Sequence, residues 1–133
     1  MLRNVAAILS GRARAHDTVA RIGGDEFAVL LRGCGVRAAE RVAQEICARV
    51  SGCRLDWDGR RYAVGASVGV VAIDASLPDA EAVLGAADAA CYAAKRAGRG
   101  AVRIHQAAGA STLGPEADAD TGADTGSGIA PVR

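Results

Sequence analysis

The sequence predicts a mixed α/β fold in which helices pack on a sheet, and three patterns support this prediction. Apolar residues recur at helical spacing in two stretches, which begin at residues 2 and 36. Short runs rich in branched residues alternate with glycine-containing turns, as they do in β-hairpins. One run, residues 66–73, is almost entirely apolar, which is typical of a central strand covered on both faces.

The individual elements follow from these patterns and from the residues that bound them. Asp58-Gly59, between two runs of strand-forming residues, is a strong signal for a tight hairpin turn. Pro78-Asp79 suits the first turn of a helix, and Gly98 lies where that helix is expected to end. The predicted helices cover residues 2–9, 36–50 and 78–96, and the predicted strands cover residues 19–22, 27–31, 55–57, 62–64, 66–73 and 101–104.

The composition of the chain changes at residue 107. Residues 107–133 alternate glycine, alanine, aspartate, threonine and serine, and they contain few large apolar side chains. Such a segment cannot bury enough apolar surface to offset the entropy lost on ordering, so we expect a disordered tail. The predicted folding unit is therefore residues 1–106.

Charge and cysteine content argue against several kinds of function. With 16 basic and 15 acidic residues, the net charge of +1 gives no reason to expect binding to nucleic acid or to an anionic membrane. No stretch approaches the roughly 18 consecutive apolar residues that a membrane-spanning helix needs, and no secretory signal is recognisable. The four cysteines include no Cys-x-x-Cys pair, so we expect reduced, buried thiols in a cytoplasmic protein and no zinc site.

The turn of the first hairpin, Gly23-Gly24-Asp25-Glu26, combines features that suit a metal–phosphate complex. One glycine is enough for a positive φ, and a second lets another molecule come close to the backbone. Adjacent carboxylates repel each other unless a cation or a partner holds them, and Mg²⁺ is usually held by one or two carboxylates together with substrate phosphates. The alternative, from the residues alone, is a solvated acidic turn.

Two further pairs of charged residues are candidates for binding. Lys95 and Arg99 are four positions apart across the end of the third helix, where they either neutralise phosphates or simply complement the helix dipole. Arg14 and Asp17 are three positions apart before the first strand, a spacing that usually gives an exposed ion pair. His16 between them fits an ordinary surface histidine.

Taken together, these residues resemble the GGDEF family, the diguanylate cyclases that condense two GTP into cyclic di-GMP. The resemblance rests on the Arg-Ile-Gly-Gly-Asp-Glu-Phe motif of residues 21–27, on Ser67-Val68-Gly69-Val70 and on residues 87–99. It covers about residues 1–105 in the family's order. It implies a sheet like the palm of the nucleotidyl cyclases, which is mixed and mainly antiparallel and has flanking helices.

The resemblance also implies roles for individual residues in metal-assisted phosphoryl transfer. Asp25 would bind Mg²⁺ and act as the base for the 3′-hydroxyl of GTP, and Glu26 would support the metal site. Gly23-Gly24 would lie against the phosphates, which Lys95 and Arg99 would neutralise.

A product site and a dimer are implied as well. Arg14 and Asp17 match the place of the family's Arg-x-x-Asp site for inhibitory cyclic di-GMP. A guanidinium can donate twice to the O6/N7 edge of guanine, and a carboxylate can accept from guanine N–H groups. Because the family is active when two domains face each other with one GTP each, the resemblance implies a homodimer.

One part of the family pattern is missing. In the family, a first strand with another metal-binding aspartate and a helix that grips guanine precede the residues that align with Met1-Leu2-Arg3. That strand would lie in the middle of the sheet, beside the glycine-turn hairpin. We therefore expect a partial GGDEF domain that is marginally stable and inactive alone, from a cytoplasmic protein whose longer form could be membrane-anchored upstream. The alternative is a non-catalytic regulatory module that binds cyclic di-GMP through Arg14 and Asp17.

Overall fold

The computed structural model of the chain describes residues 1–98, 100–106 and 127–132, and for the last of these ranges it gives the backbone. Within these ranges the chain forms three helices and seven strands. In chain order they are α1 (Leu2–Arg12), β1 (Thr18–Gly23), β2 (Glu26–Leu31), α2 (Val36–Ser51), β3 (Arg54–Trp57), β4 (Arg60–Ala63), β5 (Val68–Ile73), α3 (Ala80–Arg96), β6 (Val102–Ile104) and β7 (Ser127–Val132).

The helices and strands predicted for residues 1–106 are all confirmed, with ends that differ by a few residues. The two ends of α3 show why signals in the local sequence are sufficient to predict where this helix begins and ends. Asp79 caps the helix, since its carboxylate accepts a hydrogen bond from the Ala82 N–H at 2.8 Å. After the helix, Gly98 adopts a φ of +113°, a conformation that favours glycine.

The main sheet has five strands in the order β1-β2-β7-β5-β6, and β3 and β4 form a separate two-stranded sheet. The pairs β1–β2, β2–β7 and β5–β7 are antiparallel, whereas β5–β6 is parallel. The predicted mixed, mainly antiparallel sheet with flanking helices is therefore confirmed.

Helices cover both faces of the sheet. Leu9 of α1 and Ile46 of α2 are almost fully buried in one hydrophobic core with Val29 of β2 and Val68 of β5. Gly69 follows Val68 and therefore faces the opposite side of the sheet, where α3 packs against it. This three-layer arrangement explains why β5 is apolar on both faces.

The C-terminal segment differs from the sequence prediction. Residues 107–133 were expected to be a disordered tail beyond a sheet that lacks its middle strand, but Ser127–Val132 forms β7 in the middle of the sheet. Its backbone pairs with β2 from Phe27↔Val132 to Leu31↔Gly128, which gives the inner edge of β2 hydrogen-bonding partners. Residues 107–126 and Arg133 lie outside the described residues, and for them the expectation stays a prediction.

Among the described residues, no helix has the length and apolar character required to cross a membrane. The four cysteines, all within the described residues, form no disulfide bond, and Cys34, Cys47 and Cys91 are buried, as predicted for cysteines of the core. Burial raises the pKa of Cys47 to about 11, and the neighbouring Cys91 adds to this shift.

The raised pKa of Cys47 predicts a loss of stability at alkaline pH. The unfolded thiol ionises near its ordinary pKa of 9.0, whereas the folded thiol stays protonated up to about pH 11. Between these values the unfolded state binds fewer protons, so the free energy of unfolding falls as pH rises. Urea unfolding at pH 8, 9, 10 and 11 should give a steeper decline for the wild type than for Cys47→Ala. Equal declines in the two proteins would contradict this assignment.

Candidate functional site

The β1–β2 turn is held in one conformation by its own residues. Gly24 has a φ of +52°, in the left-handed region that glycine adopts readily and most residues with a side chain adopt rarely. The Arg21 Nε–H donates a hydrogen bond to the Gly24 carbonyl oxygen at 2.8 Å and so closes the turn from the side of β1. The pairing shifts from Arg21↔Phe27 to Gly23↔Glu26, which leaves Ile22 as an extra residue in β1. Such bulges commonly re-aim side chains beside functional sites.

The outer face of this turn is open. A Cβ atom added at Gly23 or at Gly24 would meet no atom of the described chain within 4 Å. Asp25 is exposed and Glu26 is half-buried. Since packing inside the chain does not require a glycine at position 23, the second glycine leaves the backbone accessible to a molecule from outside.

The donor atoms at the turn fit magnesium bound together with a nucleotide. No group of three or more histidine, cysteine, aspartate or glutamate side chains in the described part of the chain could hold a metal ion by itself. Mg²⁺ rarely uses a cage made only of protein atoms, because it retains waters and binds one or two carboxylates plus substrate phosphates. Asp25 and Glu26 offer carboxylates of this kind on an accessible turn.

Of the two residues predicted to neutralise phosphates, Lys95 and Arg99, the structure describes Lys95. Lys95 is exposed in the last turn of α3, and its ammonium group makes no hydrogen bond or ion pair with a described residue. Arg99, the other member of the predicted pair, lies outside the described residues. The described contacts therefore place Lys95 where a ligand can reach it, but they do not join it to the β1–β2 turn.

Arg14 and Asp17 lie together between α1 and β1, but they do not form the expected ion pair between side chains. The two carboxylate oxygens of Asp17 accept from backbone N–H groups, one from Arg14 at 2.7 Å and one from Arg32 at 3.1 Å. Asp17 thus ties the start of β1 to the end of β2. The Arg14 guanidinium is exposed and makes no hydrogen bond or ion pair with a described residue.

Cys34 lies beside this pair and is not suited to act as a nucleophile. Burial raises the pKa of the Cys34 thiol, although the positive charges of Arg14 and Arg41 act in the opposite direction. A buried thiol with a raised pKa remains protonated at neutral pH and is inert.

Two hydrogen bonds that fix the candidate sites are not apparent from the sequence patterns. The hydrogen bond from Arg21 to Gly24 depends on the bulge at Ile22, and the bond from Arg32 to Asp17 depends on the register of β1 and β2. For Arg21, the available signal is its place at the start of the seven-residue motif, three residues before the second glycine.

Comparisons with known proteins agree on one class, the GGDEF domains of diguanylate cyclases. A family model described as "Diguanylate cyclase, GGDEF domain" matches residues 1–101. The chain is 41% identical over 106 residues to the "Probable diguanylate cyclase DgcE" of Escherichia coli K12, which covers 80% of this chain and 10% of that protein. It is 36% identical over 104 residues to "Diguanylate cyclase A" of Treponema denticola, which covers 78% of this chain and 28% of that protein.

Solved structures give the same result. The fold matches the GGDEF domain of TpbB from Pseudomonas aeruginosa with a TM-score of 0.69 and 36% identity, over 80% of this chain and 67% of that one. It matches the active GGEEF domain of a diguanylate cyclase from Vibrio cholerae with a TM-score of 0.67 and 25% identity, over 80% and 67% of the two chains. The chain belongs to the GGDEF family. It spans 10% and 28% of the length of the two curated relatives described above.

Proposed function

We propose that this chain serves as the nucleotide-binding part of a diguanylate cyclase: it binds GTP as its magnesium complex at the β1–β2 turn, and in the whole protein two such domains that face each other condense two GTP into cyclic di-GMP. Each of the two bond-forming steps joins the 3′-oxygen of one nucleotide to the α-phosphorus of the other and releases pyrophosphate. The observation that carries the proposal is the open two-glycine turn, fixed by Arg21, that presents Asp25 next to Glu26. Membership of the GGDEF family supports the same substrate.

The residues of the turn have two roles in the proposed reaction, which are binding of the metal–nucleotide complex and acceptance of a proton. Gly23 and Gly24 let the triphosphate approach the backbone, because no side chain covers them. Asp25 and Glu26 would hold the metal, which when bound supplies positive charge for the phosphates and lowers the pKa of the attacking hydroxyl. Asp25 then accepts the proton of the 3′-hydroxyl as the oxygen attacks.

The remaining charges of the proposed site come from α3 and from a partner. Lys95, together with Arg99, neutralises the triphosphate and the departing pyrophosphate. Since one turn positions one nucleotide, the two reacting GTP molecules require two copies that face each other. The active species is accordingly a homodimer of the whole diguanylate cyclase to which this domain belongs, and the rate of product formation by that protein should rise faster than linearly with its concentration.

The experiment that tests the proposal is a calorimetric titration of the full chain with GTP, once in Mg²⁺ and once in EDTA. We expect binding that requires Mg²⁺ and that is at least tenfold weaker for GMP, because the proposed contacts are to the metal and to the triphosphate. GMP therefore serves as the control for the triphosphate. Equal binding in Mg²⁺ and EDTA would contradict the metal–nucleotide assignment.

A second candidate function is binding of cyclic di-GMP at Arg14 and Asp17, with or without catalysis. The observation that favours it is the contrast between these two side chains. Asp17 is fixed by two backbone N–H groups, whereas the Arg14 guanidinium beside it is exposed and has no partner among the described residues. A fixed carboxylate and an available guanidinium provide an acceptor and a double donor for guanine.

Replacing Arg14 with alanine tests this second site. We expect Arg14→Ala to weaken binding of cyclic di-GMP by at least tenfold, because the double hydrogen bond to guanine is lost. Arg37→Ala, which removes an exposed arginine of α2, is the matched control and should bind as the wild type does. Calorimetry with cyclic di-GMP measures both, and equal affinities of wild type and Arg14→Ala would remove Arg14 from the site.

A further inference from the structure

The hairpin of β3 and β4 carries the most exposed large apolar side chain among the described residues. Trp57, the only tryptophan of the sequence, is 70% exposed at the end of β3, and Tyr62 of β4 is 44% exposed. In the described part of the chain, β3 and β4 pair only with each other. Tryptophan and tyrosine are enriched where protein surfaces bind each other, so two of them on one hairpin indicate a docking surface.

The register of the hairpin places both aromatic residues on the same side. Leu55 lies opposite Tyr62, and Trp57 lies opposite Arg60. Because alternate residues of a strand point to one side of a sheet, these four side chains form a single patch, with Trp57 and Arg60 nearer the turn. We call this patch the aromatic face of the hairpin.

The charged groups on the other side of the hairpin have partners within the chain. The Arg61 Nε–H donates a hydrogen bond to the Asp56 carboxylate at 2.9 Å. Arg54 donates to two backbone carbonyl oxygens just before β3, at 2.6 and 3.0 Å. On the aromatic face, by contrast, the Arg60 guanidinium is exposed and makes no hydrogen bond or ion pair with a described residue. The aromatic face therefore combines two exposed rings with one available cation.

The charges around Trp57 argue against a partner that is rich in phosphate. Trp57 lies between Asp56 and Asp58 in the sequence, and both acids are exposed. Nucleic acids and anionic membranes attract clusters of free cations, and two carboxylates next to the aromatic ring would repel them. A protein surface is the partner that this face fits.

A second copy of the chain presents the complement of the aromatic face. If two such faces meet with their hairpins pointing the same way, the two-fold axis runs along the hairpins and β3 of each copy lies over β4 of the other. Trp57 then meets the second copy's Arg60, and Leu55 meets the second copy's Tyr62. A guanidinium over an indole ring is a favourable cation–π pair, and symmetry forms this pair twice.

We infer that the aromatic face of the β3–β4 hairpin docks a second copy of this chain, with Trp57 of each copy stacked on the second copy's Arg60. Four side chains from each copy bury less area than a standard interface, so the dimer is weak and reversible. The surface includes no residue of the β1–β2 turn and requires no nucleotide, so it stands or falls separately from the proposed function.

The single tryptophan reports on this contact directly. We expect sedimentation of the full chain without nucleotide to show a reversible dimer between about 10 µM and about 1 mM. Over the same range, the emission of Trp57 should move to shorter wavelength and become less accessible to acrylamide, because the indole is covered. Absence of a dimer would overturn the inference. So would a dimer that leaves the emission unchanged, since it would form through another surface.

Alanine variants test the two residues of the proposed pair. Trp57→Ala and Arg60→Ala should each weaken dimerisation by at least tenfold in sedimentation. Tyr92→Ala removes an aromatic side chain of α3 that is 59% exposed, and as the matched control it should dimerise as the wild type does. All three side chains are exposed, so circular dichroism should show the same fold in each variant. Equal dimerisation of Trp57→Ala and the wild type would remove the hairpin from the interface.

An exchange of the two side chains tests the crosswise pairing itself. Trp57→Arg sets two cations against each other across the dimer and should abolish dimerisation. Adding Arg60→Trp to this variant restores one tryptophan opposite one arginine, so the double variant should dimerise within about threefold of the wild type. A folded double variant that dimerises no better than Trp57→Arg alone would contradict the proposed pairing of Trp57 with Arg60.

Discussion

Replacing Gly69 with alanine is expected to destabilise the chain by about 3 kcal/mol or more. A Cβ atom at this position would lie 2.4 Å from the Ala87 carbonyl oxygen and 2.5 Å from the Cys91 N, both in the backbone of α3. Backbone atoms cannot rotate away as a flexible side chain can, so α3 would have to move off β5. Because a domain of this size has about 5–15 kcal/mol in total, the loss is a large part of its stability.

A second glycine in α3 provides the matched control. A Cβ atom at Gly85 would meet nothing within 4 Å, and the residue is exposed within the helix. Gly85→Ala should therefore stabilise the chain by roughly 0.5–1 kcal/mol, because alanine is the better helix former. Urea unfolding followed by circular dichroism measures both variants. A Gly69→Ala protein as stable as the wild type would show that α3 does not pack on β5 in this way.

Replacing Asp25 with asparagine is expected to weaken magnesium-dependent binding of GTP by at least about tenfold, or about 1.4 kcal/mol. Asparagine keeps the size of the side chain and removes the negative charge that Mg²⁺ prefers in a ligand. Since Asp25 is exposed in the turn, the substitution should leave the stability of the fold within about 0.5 kcal/mol. Calorimetric titration with GTP in Mg²⁺ measures the effect on binding.

Asp58→Asn is the control for Asp25→Asn. Asp58 is an exposed acid in the turn between β3 and β4, so its replacement changes the net charge by the same amount. Its φ of +51° is one that asparagine tolerates well. We expect this variant to bind GTP as the wild type does. If both variants lose affinity equally, the effect of Asp25 is one of overall charge and not of a metal site.

The sequence predicted most elements of the fold because their signals are local. Three of these signals depend only on residues that are close together in the sequence: the apolar face of α2, the Asp58-Gly59 turn and the Asp79 cap. The strand β7 could not be predicted in this way. Gly128 and Pro131 disfavour a strand in the local sequence. The strand forms through pairing with β2 on one side and β5 on the other, which are distant in the sequence.

The same distinction applies to the candidate site. The turn from Gly23 to Glu26 was predictable because its four residues are consecutive and chemically unusual. The bonds from Arg21 to Gly24 and from Arg32 to Asp17 depend on a bulge and on strand register, which are results of tertiary pairing. An ion pair between Arg14 and Asp17 was expected from their spacing. The two carboxylate oxygens of Asp17 instead accept hydrogen bonds from the backbone N–H groups of Arg14 and Arg32.

The most direct test of the metal–nucleotide site is a crystal structure of the full chain with Mg²⁺ and a GTP analogue that cannot react. The turn should hold the triphosphate against Gly23 and Gly24, with a carboxylate oxygen of Asp25 about 2.1 Å from the ion. A bound nucleotide whose Mg²⁺ lies away from the turn, with the Asp25 carboxylate in contact only with solvent, would contradict the account.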